Sequence, residues 1–176
     1  MAGLGVVLLL ALALAVLPTC ELSRTIRLVQ PIEFFLLSDV ETNVATQPFT
    51  DVTGAITGFI AEKPGLIIER VEDIIVEVRR MPQLHRGRVI GKEPHRFARI
   101  KLLKRDRKRL EQFTTAGAGS ILLTRVNGKI VFLSFLTEPL TSEEFVVSGP
   151  DTEETREAVR IIQATLPGGA MGVWDK

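Results

Sequence analysis

Residues 127–166 read NGKIVFLSFLTEPLTSEEFVVSGPDTEETREAVRIIQATL. Asn127-Gly128 lies between two apolar runs, 121–126 and 130–136. The dipeptide is a strong hairpin signal, because a type I′ turn needs φ > 0 at both central residues and Asn and Gly tolerate it. A hairpin, a bend at Glu138-Pro139-Leu140, a strand over 145–147 and a helix are therefore expected in that order. Asp151 followed by Glu154 predicts a capping box with Asp as the N-cap. Thr155, Ala158, Val159, Ile162 and Leu166 fall on one face of that helix, and Pro167-Gly168-Gly169 stops it.

Working upstream, Ile100 and Leu102 alternate with Arg99 and Lys101, as in a half-buried strand with its basic side outward. A helix follows over 104–115, with Leu110 and Phe113 on one face, and Ala116-Gly117-Ala118-Gly119 ends it. Near the start, 25–37 reads as a strand with Pro31 at an edge or bulge. The polar stretch 38–58 reads as a surface loop or a short accessory element. After a turn at Glu62-Lys63-Pro64-Gly65, 66–68 and 74–78 read as two short strands, or as one strand and a helical turn. The stretch 81–96 holds two prolines, two glycines and both histidines, and reads as a loop. Strand, helix, strand pair, strand, helix from residue 97 onward predicts an α+β fold, a mainly antiparallel sheet with helices on one face in a ferredoxin-like arrangement.

The same residues carry a family resemblance. Asn127-Gly128-Lys129-Ile130-Val131, then Glu138-Pro139-Leu140, Val147-Ser148-Gly149 and Thr152-Glu153-Glu154, resemble the head of the first extracytoplasmic loop of the SecD/SecDF protein-export family. Upstream, 100–103 and 110–114 resemble the family's preceding strand and helix. The match spans about 97–166. It departs at 132–135 and at Ser142-Glu143, so the resemblance implies a SecD head-like fold more than it implies a binding role. In the family this head is linked to handling the translocated chain outside the membrane.

The chain has 176 residues, 45% of them hydrophobic and 24% charged, an ordinary composition for a folded domain. Three segments are expected: a leader at 1–20, an N-terminal strand and loop segment at 21–64, and a head-like domain at 65–176. Residues 4–17 form an unbroken apolar run of 14, shorter than a ~20-residue bilayer span and fitting a secretory leader. Cys20, the single cysteine, follows directly, which leaves open lipid attachment there, cleavage elsewhere or an uncleaved anchor. A lone cysteine excludes an intramolecular disulfide and a Cys-rich metal site. The expected location is outside the cytoplasmic membrane, tethered to it and facing the periplasm.

Charge is uneven. Residues 79–109 hold 13 basic residues and two acids, Glu93 and Asp106, for a local net of +11, although the whole chain carries +1. Arg99, Lys101, Lys104, Arg105, Lys108 and Arg109 are the candidate contacts to an anionic surface; the bland reading is a solvated face balanced by acids elsewhere. Phe97 is the single aromatic in the band, so base stacking is unsupported and no nucleic-acid partner is expected. His85 and His95 lie outside any metal-ligand spacing, and no phosphate loop, paired catalytic carboxylates or Ser nucleophile motif is present, so no metal, cofactor or catalytic residue is expected. These features together predict a non-enzymatic exported envelope protein that binds polypeptide or an envelope partner in or near protein export. The alternative is a module that docks on a membrane surface or a cell-envelope polymer through 79–109, with no export role.

Overall fold

A computed structural model describes residues 25–168; the leader and Cys20 lie outside them. The elements run β1 (Ile26–Leu37), β2 (Ala45–Thr50), β3 (Thr57–Ala61), β4 (Leu66–His85), β5 (Arg88–Leu102), α1 (Lys104–Ala116), β6 (Ile121–Val126), β7 (Lys129–Phe135), β8 (Glu144–Pro150) and α2 (Glu153–Gln163). The fold is α+β. Six strands form one sheet in the order β7-β6-β1-β4-β5-β8, every neighbouring pair antiparallel, and β2 and β3 form a separate hairpin. β1, from the segment set apart at 21–64, lies inside the sheet between β6 and β4.

Alternation in β1 divides the core in two. Phe34 points with Ile32, Ile68, Ile100 and Leu122 to the face on which Leu110 of α1 and Val159 and Ile162 of α2 pack. Phe35 and Leu37 point the other way, where Phe49 and Ile60 of the β2–β3 hairpin cover them together with Leu123. Both helices thus share one face, and the accessory hairpin covers part of the other. Burying Phe34, Phe35 and their neighbours is the main driving force for closing these layers, at roughly 25 cal/mol per Å² of apolar surface.

Local chemistry fixes the elements. Asn127 and Gly128 have φ of 50° and 74°, the two positive values the β6–β7 turn requires. Gly65 allows close approach, since a Cβ there would run into the Phe113 ring of α1. Thr114 of α1 ties down the Glu138-Pro139-Leu140 bend, its Oγ1 accepting from the Leu140 amide at 2.9 Å.

Three expectations are corrected. The N-cap of α2 is Thr152, whose Oγ1 accepts from the Thr155 amide, and not Asp151. Asp151 instead takes guanidinium hydrogen bonds from Arg96 and Arg156, charge-assisted contacts stronger than a neutral cap. The stretches 66–68 and 74–78 belong to one 20-residue strand. A register shift between Val71 and Asp73 breaks the inward alternation there, so the strand reads as two pieces. Finally, 81–96 is no loop: β4 and β5 pair as far as His85 and Arg88, around a turn at Arg86 and Gly87 with φ of 48° and 76°. Pro82 is tolerated because the strands there lack an outer neighbour that would need its amide, and Pro94 sits where the β8 pairing ends, its carbonyl accepting from the Asp151 amide at 2.9 Å.

Candidate binding cleft and basic arm

The sheet curls. β7 and β8 stand at opposite ends of the strand order, yet the rings of Phe132 and Phe145 meet edge to face at 6.1 Å, and Phe145 meets Phe34 at 5.1 Å. The two edges therefore approach each other around α2. Between β7, α2 and the end of β8 a cleft of about 690 Å³ remains open. Its apolar lining comes from Ile130, Val131, Phe132 and Leu133 of β7, Val147 of β8, Ala158 and Ile161 of α2, and Val52 of the β2–β3 turn, with Ser148, Glu154 and Thr155 supplying polar groups. Val131 owes its inward position to a bulge: Thr124 pairs with Phe132 and Arg125 with Ile130, leaving Val131 as the extra residue.

Ion pairs fix the cleft walls. Lys129 of β7 reaches Glu157 of α2 at 3.3 Å, and Arg160 holds the same carboxylate at 2.5 Å. The Lys129 hydrogen bond is the main cause holding the Glu157 carboxyl below its ordinary value. At the start of α2, Arg156 and then Arg96 lower Asp151 from 3.8 to about 2. α2 is thereby pinned to β5 at its N-terminus and to β7 further along. A Cβ on Gly149 would press on the Thr155 hydroxyl, so α2 lies close against β8. As strands at the sheet ends, β7 and β8 each present an unpaired backbone edge beside this apolar lining.

The second surface is the far part of the β4–β5 hairpin. β8 pairs with β5 only from His95 to Lys101, and β1 leaves β4 at Val71, so from Arg80 to Glu93 the two strands pair only with each other. Every residue from Val78 to Ile90 is exposed. At about 3.4 Å per residue, six residues from Arg80 to His85 give an arm of roughly 20 Å.

The structure sorts the basic band. Arg79 pairs with Glu77, Arg96 with Asp151, Lys101 with Glu72, and Arg99 with both Glu77 and Glu144. Arg107, absent from the sequence-based candidates, binds Glu143 at 2.5 Å, Glu72 at 3.2 Å and the Leu102 carbonyl at 3.0 Å, and so clamps the start of α1 to the sheet. Lys101 and then Arg107 lower the Glu72 carboxyl. Arg105 and Arg109 are exposed on α1 but converge on the buried Asp106, at 3.4 and 2.9 Å. Lys104 and Lys108 are exposed on the same helix and, among the described residues, have no carboxylate partner; neither do Arg80, Arg86, Arg88 and Lys92 of the arm.

Of the six candidate contacts, then, Arg99 and Lys101 are engaged across the sheet, Arg105 and Arg109 within α1, and Lys104 and Lys108 are free. The arm cations were counted in the 79–109 band but not among its named contacts, since 81–96, which holds Arg86, Arg88 and Lys92, read as a loop. Of the histidines, His85 is exposed at the arm's end, and His95 lies 3.1 Å from Glu93. Glu143, Glu144 and Glu153 are tied to Arg107, Arg99 and Arg156. Among the described residues no group of His, Cys, Asp and Glu is placed to hold a metal, and no helix is long and apolar enough to cross a membrane. Comparison with protein-family models, curated proteins and solved structures finds no match.

Proposed function

We propose that this chain is a non-enzymatic, exported envelope protein with a SecD head-like domain, which holds an extended apolar polypeptide segment or docks an envelope partner during or near protein export. The observation that carries the reading is the cleft beside β7: an apolar floor flanked by sheet edges whose amides and carbonyls face no further strand. Extended polypeptide offers a matching chemistry, backbone groups for the edge and alternate side chains for the floor. The α+β architecture and the helix following β8 are compatible with the SecD head-like likeness, which rests on the residues quoted from 127–154. Placement outside the cytoplasmic membrane rests on the 1–20 leader, with Cys20 as the candidate lipid attachment point. Tying of Glu143 and Glu144 to Arg107 and Arg99 favours a binding module over acid–base chemistry.

Binding of a fluorescent, extended apolar peptide tests this. Anisotropy should report saturable binding that changes little with salt, since burial of apolar surface is not screened. Ala158→Trp, which fills the cleft from α2, should abolish it while the fold remains intact. Binding that survives Ala158→Trp, or that vanishes in moderate salt, would exclude the cleft as the polypeptide site.

A further inference from the structure

We propose that the β4–β5 arm is an interfacial anchor that lays its end into the headgroup region of an anionic bilayer. This goes beyond the polypeptide cleft and does not depend on it. Two independent properties coincide on the arm. Its cations Arg80, Arg86, Arg88 and Lys92 have no carboxylate partners among the described residues. Around them stand large apolar side chains left in water: Leu84, Val89 and Ile90 are 66%, 63% and 61% exposed. A bilayer interface satisfies both, taking phosphate against guanidinium and acyl boundary against aliphatic side chain.

Other occupants fit less well. Nucleic acid would use the charge but leave Leu84, Val89 and Ile90 in water, and 78–93 holds no Phe, Tyr or Trp as a stacking platform. A second protein strand would have to add along an arm edge. Pro82 lacks an amide donor there, the bulge at Ile90 twists the pairing, and the cations repel a second copy. The Arg86-Gly87 turn holds Arg86 at φ 48°, placing a cation at the extreme end of the arm. The charges that anchor the arm's base are already spent on Glu77, Glu144 and Asp151, so lipid contact need not break any of them.

The test places an environment-sensitive fluorophore on Leu84→Cys in the full chain carrying Cys20→Ser, with a control label on Glu62→Cys, an exposed position outside the arm. Vesicles of phosphatidylcholine with phosphatidylglycerol, containing lipids that quench at shallow depth, are the probe. Quenching is expected at position 84 and not at 62, only with phosphatidylglycerol present, and it should weaken with salt. Each basic residue at an anionic surface raises binding about fivefold, so Arg80→Gln, Arg88→Gln and Lys92→Gln together should lower it about a hundredfold. A melting midpoint equal to the parent's confirms that the triple variant is folded. Equal quenching at both labels, none at either, quenching indifferent to the triple variant, or protection of position 84 by self-association without vesicles would each overturn the proposal.

Discussion

Phe132→Leu and Phe145→Leu, singly and together, examine the curl that creates the cleft. Phe145 is 5% exposed and meets Phe34 and Phe132 edge to face. Truncating such a ring to Ala costs about 3–5 kcal/mol, a large share of the ~5–15 kcal/mol that holds a domain together, so Ala risks unfolding the protein. Leu retains most of the buried area and removes chiefly the ring geometry. Edge-to-face pairs contribute about 0.5–1.5 kcal/mol beyond burial. With contacts to two rings, Phe145→Leu should cost roughly 1–3 kcal/mol, and Phe132→Leu, with one, roughly half that.

The decisive quantity is the coupling between the two substitutions. At 6.1 Å separation the double variant should be more stable than the sum of the single costs implies, by about 0.5–1.5 kcal/mol. Urea denaturation followed by circular dichroism measures all four proteins; with a slope of ~2 kcal/mol/M the coupling amounts to about 0.3–0.7 M in midpoint. Because β7 and β8 are the outermost strands, nothing but curling of the sheet brings these rings together. Purely additive costs at an unchanged slope would mean that the two edges do not meet, and the cleft with its proposed occupant would go with them.

Other perturbations read single parts of the structure. Gly128→Val should destabilise by roughly 1–2 kcal/mol through backbone strain alone, since its φ is +74° and a Cβ there meets nothing within 4 Å; an unchanged melting midpoint would refute the β6–β7 turn. Asp151, lowered to about 2 by Arg156 and Arg96, contributes stability that is fully present above its ordinary value of 3.8 and is lost as pH falls from there toward 2. Asp151→Asn should therefore destabilise at neutral pH and flatten acid unfolding in that window; an acid profile identical to the parent's would refute the clamp. Lys104→Glu should stabilise by about 0.3–1 kcal/mol, because Lys104 opens α1 at the positive end of the helix dipole and Leu103 offers no side-chain cap. A drop in midpoint would mean that Lys104 has a structural role.

What was legible in the sequence had a local cause. Asn127-Gly128 and the 3.6-residue periods of 104–115 and 155–166 are short-range signals, and turn and helices form there, although α2 ends at Gln163, before Leu166. The 20-residue β4 was hidden because two register shifts, one against β1 between Ile68 and Arg70 and one against β5 after Val71, interrupt its alternation. The arm was hidden for a different reason: most of its side chains face water on both sides, so no buried face imposes a period of two, and its turn uses Arg where Asn or Asp would have announced it. The cleft has no local signal at all. It depends on β7 and β8 meeting across a curled six-stranded sheet, a non-local consequence of strand order and twist.

The uneven charge of 79–109 resolves along the same hairpin. At its base, acids from outside the band answer the cations: Glu72 and Glu77 from β4, Glu143 and Glu144 at the start of β8, Asp151 before α2. Those pairs join strands to one another and helices to the sheet, so part of the charge excess is structural. Toward the far end no acid follows Glu93, and the cations from Arg80 to Lys92 have no carboxylate partner among the described residues. The arm, at roughly 20 Å, is longer than the ~10 Å over which surface charges act at moderate ionic strength. The compensating acids therefore cannot neutralise its end. A chain near overall neutrality thus presents a concentrated positive, apolar tip, which a tally of sequence charge or the face of α1 alone would assign to the wrong element.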